Sequence, residues 1–196
     1  MNNSILIVED ELIIANGIAE LLIDEGYDVA GIAKSAAEAI TKSRKLSVSP
    51  AVVLCDINIK GTVKGTELAL QLKAEFDCEI IFLTAYSDAQ NLQDAFAAEP
   101  VMYLVKPYND KQLLVAVQMA FHKYIRKQAS RSYAKLDLTE REKEIAQLIS
   151  EGLSSKQVAH QLFISVETVK THRRRMLQKN NISNFPHLVY IMNRES

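Results

Sequence analysis

The chain has 196 residues, 48% of them hydrophobic, which is enough to bury a core and suggests two small domains rather than one large one. Two cysteines exclude a disulfide framework and a zinc cluster, and the apolar run before Glu9 and Asp10 is too short for a secretory or membrane-spanning segment, so a cytoplasmic protein without membrane contact is expected. The net charge of −1 conceals a division, because residues 1–125 carry 10 basic and 17 acidic side chains and the remainder 13 and 7, a split that suits cation or phosphate chemistry in one half and nucleic acid in the other.

Five short β-branched runs, Ile5 to Val8, Val29 to Ala33, Val52 to Cys55, Ile80 to Leu83 and Met102 to Val105, predict strands. Amphipathic stretches alternate with them. The first has Ile14, Ile18, Leu21 and Leu22 at helical spacing, the last Leu114, Val117, Phe121 and Ile125. Strands apolar at nearly every residue are buried on both faces, which predicts an α/β fold: a doubly wound, five-stranded parallel sheet with ligands at the strand carboxyl ends. Residues 126–136 are polar and read as a linker. Beyond it, Thr139 with Glu142 and Ser154 with Gln157 match capping boxes, Gly152 stops a helix between them, and Ser165 can cap a third helix running through Arg175. A fourth after Pro186 completes a small all-α domain over residues 137–196.

Glu9 and Asp10 follow the first strand, Asp56 follows the third, Thr84 ends the fourth and Lys106 ends the fifth, so one rim of the sheet collects them all. Three carboxylates there would repel unless a hard cation sits among them, and Mg²⁺ suits such a set when a phosphate completes its shell. Asp56 could then attack a phosphoryl group, with Lys106 neutralising its oxygens and the Thr84 hydroxyl bonding one of them.

The segments ILIVEDE, VVLCDINIKG, IIFLTAY and YLVKPY resemble the receiver domain of two-component response regulators, over roughly residues 1–125. The resemblance implies a flavodoxin-like fold and Mg²⁺ held by Glu9, Asp10, Asp56 and the backbone carbonyl of Asn58. It also implies a sensor histidine kinase as phosphodonor, and Thr84 with Tyr103 as a switch pair in which the ring turns inward when the hydroxyl moves to the phosphate. Tyr86 stands where the family tunes access of water to the acyl phosphate, and its bulk is expected to slow hydrolysis. The loop after Asp56 departs from the pattern, with Lys60 in place of the usual proline and one residue more before Gly65.

In the tail, Val158, Ala159 and Leu162 supply a support helix, and Val166, Val169 and Met176 the inner face of the next. Residues 155–179 can therefore form a helix-turn-helix, with Lys156, Lys170, Arg173, Arg174, Arg175 and Lys179 to neutralise phosphates. The run from Leu138 to Lys179 resembles the LuxR/NarL-type DNA-binding domain. That implies a third helix entering the major groove of double-stranded DNA, with Thr168, Val169, Lys170, Thr171 and Arg173 nearest the DNA. His172, without a partner at ligand spacing, is no metal ligand. Asn180 and Asn181 replace the usual leucine and glycine; Asn181 can still take the left-handed cap conformation.

The combined expectation is a transcriptional response regulator, not an enzyme, that dimerises or frees its recognition helix when Asp56 is phosphorylated. Two rivals remain: a phosphohydrolase, for which Asn58 stands where a second aspartate is needed, and a phosphorylation-dependent adaptor whose tail binds protein or RNA.

Overall fold

Five parallel strands, β1 (Ser4–Val8), β2 (Asp28–Ala33), β3 (Val52–Asp56), β4 (Glu79–Ala85) and β5 (Met102–Lys106), form one sheet in the order β2-β1-β3-β4-β5. This computed structural model describes residues 4–85, 96–128, 136–182 and 184–195. Tyr86 and the helical stretch expected between β4 and β5 lie outside the described residues. The strands run one to three residues beyond the apolar runs that predict them, because main-chain pairing continues into polar residues, among them the buried Ser4, Asp56, Glu79 and Thr84. Alternate residues feed two cores. Ile5, Ile7, Val52, Leu54, Ile81 and Leu83 face α1 (Leu12–Asp24) and α4 (Asp110–Gln128), whereas Leu6, Val8, Val53, Cys55, Ile80 and Phe82 face α2 (Ala36–Lys45) and α3 (Gly65–Glu75). Helices on both faces are what the near-continuous apolar strands require. Helix α4 also continues to Gln128, so the first residues assigned to the linker belong to it.

Four more helices follow: α5 (Glu140–Ser150), α6 (Ser155–Gln161), α7 (Val166–Lys179) and α8 (Phe185–Glu195). Both expected capping boxes are formed, at Thr139/Glu142 and Ser154/Gln157, and the Ser165 hydroxyl accepts from the Thr168 N–H at 3.0 Å. Ile145, Ile149, Val158, Val169, Met176, Phe185 and Leu188 make a third core.

The two halves are packed together. Tyr190 and Ile191 of α8 enter the core that α4 shares with the sheet, and Tyr190 meets His122 with ring centroids 5.0 Å apart. Gly152, at φ +86°, lets the turn between α5 and α6 press against α4: a Cβ there would come within 2.3 Å of Val115 and 3.1 Å of the Lys111 carbonyl oxygen.

Candidate functional site

Parallel register brings the rim residues level. Val8 pairs with Cys55, so the next residues, Glu9 and Asp56, lie side by side; Asp56 pairs with Leu83, and Lys106 with Ala85, flanking Thr84. Glu9 is fully buried, Asp56 nearly so and Asp10 partly, and a ligand oxygen from each lies within 4.8 Å of the others. The Lys106 ammonium donates to Glu9 Oε2 and to Asp56 Oδ2, both at 2.6 Å. Asp56 Oδ1 accepts from the Asn58 N–H at 2.8 Å, which orients the carboxylate. Burial by itself would lower the Lys106 pKa, but the bonds to Asp56 and Glu9 outweigh it and hold the pKa above its ordinary value. Burial pushes Glu9 upward, and the Lys106 bond only partly offsets it.

Loop geometry completes the pocket. Ile57 and Ile59 are buried while Asn58 and Lys60 are exposed, so the alternation turns Asn58 and Lys60 to the rim, and Lys60 Nζ pairs with Asp10 Oδ2 at 3.0 Å. Thr84 is buried and its hydroxyl donates to the Ala85 carbonyl at 3.1 Å. The Tyr103 ring lies inward, stacked on Phe82 at 5.7 Å and edge-on to Phe96 at 5.8 Å.

In the tail the residues expected near DNA separate into groups. Lys156 and Arg174 are exposed, and Thr168 and Thr171 half-exposed. Val169 takes the inner-face position its spacing predicts, which is a correction to its place nearest the DNA: it is fully buried in the third core together with Met176, seven positions on, and a side chain on the packed face of α7 cannot also reach a groove. Arg173 is a second correction for this arrangement. It is 7% exposed and turned toward α1, where its guanidinium donates to the Glu25 side chain and main-chain carbonyl and to Ser155 Oγ, and lies 4.7 Å over the Phe185 ring. The Glu25 carboxylate is 5% exposed and also accepts the Ser155 N–H at 2.7 Å. Lys170 reaches Asp24 at 3.2 Å.

The profile of the response regulator receiver domain matches residues 5–118, more than half of the chain. The chain belongs to the response regulators. The profile of bacterial regulatory proteins of the luxR family matches residues 136–192 of this response regulator. It is 34% identical over 191 residues to a nitrate/nitrite response regulator protein homolog of Haemophilus influenzae, covering 91% of this chain and 90% of that one. It is 29% identical to the DNA-binding transcriptional activator DevR/DosR of Mycobacterium tuberculosis, over 89% and 87% of the two chains. Among solved structures, that of response regulator StyR aligns with a TM-score of 0.58 and 27% identity, over 99% of this chain and 100% of that chain.

Sequence reasoning missed the contacts that Asp24 and Glu25 make with Lys170, Arg173 and Ser155. Glu25 ends an amphipathic helix and Ser155 follows a cap, and neither position signals a partner about 130 residues away in the chain. The bond of Lys60 to Asp10 likewise joins residues that no local pattern links.

Proposed function

We propose that this response regulator accepts a phosphoryl group on Asp56 from a sensor histidine kinase and controls transcription by binding double-stranded DNA through α6 and α7. The observation that carries the phosphoacceptor reading is the Lys106 ammonium held 2.6 Å from both Glu9 and Asp56, a cation already stationed where phosphate charge would develop. The three clustered carboxylates are hard oxygen donors, and they fit Mg²⁺ held by Glu9, Asp10, Asp56 and the Asn58 carbonyl. Bound there, Mg²⁺ would neutralise charge on the phosphoryl oxygens.

An Asp56 oxygen attacks phosphorus while the P–N bond to the donor imidazole breaks, leaving an acyl phosphate. Lys106 then exchanges its Asp56 bond for a phosphoryl oxygen, and the Thr84 hydroxyl turns from Ala85 to another, with Tyr103 filling the space behind it. Asn58 supports a switch rather than an esterase, since its carboxamide can neither protonate a leaving alkoxide nor deprotonate water. No helix among the described residues is long and apolar enough to cross a membrane, in keeping with a cytoplasmic regulator.

The contact between α7 and α1 supports an off state. Asp24 engages Lys170 and Glu25 holds the buried Arg173, so an acidic side chain occupies the place that a DNA phosphate would take at Lys170. Phosphorylation favours separation of the two halves and formation of a homodimer whose recognition helices read adjacent half-sites. The test is binding of a duplex selected from random DNA by wild type and Asp56→Asn, with and without acetyl phosphate and Mg²⁺. Strengthening in wild type alone is expected. Equal binding in every case would overturn the switch, and selection of RNA in preference to DNA would favour the adaptor reading.

A further inference from the structure

Two ammonium groups face the three carboxylates of the rim, and they are held very differently. Lys106 extends from the end of β5 and bridges Glu9 and Asp56 from within the pocket. Lys60 comes from the loop after β3, its side chain is 81% exposed, and its partner is Asp10, the most accessible of the three acids. Its placement is built in. Ile57 and Ile59 are sealed into the core beneath the sheet, which fixes the alternation that sends Lys60 to the rim. Gly61, at φ +127°, then turns the chain away in a conformation open to glycine, and Val63 packs against the same core.

Divalent cation binding at this rim needs the oxygens of Asp10, and Lys60 already holds one of them. We propose that Lys60 is a built-in competitor for the cation position: it pairs with Asp10 in the ion-free molecule, must release it when Mg²⁺ binds, and so sets the Mg²⁺ affinity of this receiver. The inference rests on the reading of Glu9, Asp10 and Asp56 as the metal site. A free ammonium on a flexible stem can yield one oxygen without disturbing Lys106, so competition costs affinity without blocking the site. Because the Lys60 end of the pair is exposed, the pair is screened, and its effect on affinity shrinks as ionic strength rises.

The experiment is calorimetric titration of the full chain with Mg²⁺, without phosphodonor, at low and high salt, for wild type and for Lys60→Ala, Lys60→Arg, Lys64→Ala and Asp10→Asn. Lys60→Ala should bind Mg²⁺ about two- to fivefold more tightly at low salt, the size expected of an exposed ion pair, with the gain narrowing at high salt. Lys60→Arg should remain near wild type, since it keeps the charge. Unchanged or weaker binding by Lys60→Ala overturns the inference, as does an equal gain from Lys64→Ala, which would reduce the effect to the net charge of the loop. Failure of the metal reading itself looks different: wild type then binds no Mg²⁺, or Asp10→Asn binds it as well as wild type, and the inference falls with it.

Discussion

Gly65 shows how little room the acceptor has. A Cβ on this residue would stand 2.0 Å from the Asp56 carbonyl oxygen and 3.0 Å from the Asp56 carbonyl carbon and Ile57 Cα. These are backbone atoms with no flexible side chain to give way, and the Gly65 N–H donates to the Ile57 carbonyl at 3.0 Å, so the two segments are already tied together. Gly65→Ala should therefore cost about 3 kcal/mol, the upper end for overpacking, and displace the Asp56 carboxylate. Urea unfolding measures the first and acetyl phosphate uptake the second; a variant matching wild type in both would refute the close-packing argument. The two thiols, Cys55 and Cys78, are chemically quiet. Burial, reinforced by the charges of Asp56 and Glu9, raises Cys55, and burial pushes Cys78 up to about 12.

At the scale of the element, the start of α5 carries a testable contribution from one carboxylate. Glu142 accepts from the Thr139 N–H at 2.9 Å and pairs with Lys179 of α7 at 2.8 Å. Burial opposes its charge, but the Lys179 and Thr139 bonds win and hold its pKa below the ordinary 4.5. A carboxyl whose folded pKa is depressed stabilises the fold above its unfolded pKa, and that contribution is lost as pH falls through the folded value. Glu142→Ala should cost about 1 kcal/mol at neutral pH, as lost caps do. The gap from wild type should close below pH 4.5, which urea titrations at several pH values can follow. Asn180 works at this scale too. Instead of simply forfeiting apolar burial, its side chain accepts from the Asp137 N–H at 2.7 Å and donates to the Asp137 and Met176 carbonyls at 3.0 and 2.9 Å, clamping the approach to α5 against the end of α7. Asn181 takes φ +52°, the left-handed cap its residue type allows. Caps and helix stops were legible in the sequence because each is a local exchange of hydrogen bonds; the Asn180 clamp was not, because Asp137 lies 43 residues away in the chain.

For the molecule as a whole, the closed arrangement joins the apolar contact of α8 with α4 to one buried ion pair, Arg173 with Glu25. Removing a single partner from such a pair leaves an uncompensated charge and costs about 3–5 kcal/mol where the structure cannot relax. Here it can relax by opening. Glu25→Ala should strip Arg173 of its main partner, part the halves and raise DNA affinity at least about tenfold without phosphodonor, a change equivalent to about 1.4 kcal/mol. Glu25→Asp, keeping the charge, should fall between the two. Binding to the selected duplex reports affinity and small-angle scattering reports separation; an open Glu25→Ala that binds DNA no better would show that this contact does not restrain the recognition helix.

Much of the architecture follows from short-range rules in the sequence: the period of the apolar runs sets strand and helix, the caps set helix ends, and parallel strands ending in acid, acid, hydroxyl and ammonium bring those groups to one rim. Those signals are local or fixed by the regularity of the sheet, so the sequence alone groups Glu9, Asp56, Thr84 and Lys106. Tertiary packing settles that Arg173 is spent on Glu25 and that Lys60 holds Asp10. Each of these depends on which face of an element packs against a partner distant in sequence. An arginine on a basic helix has the same local pattern whether it meets a phosphate or a buried carboxylate; packing between the two halves makes the choice.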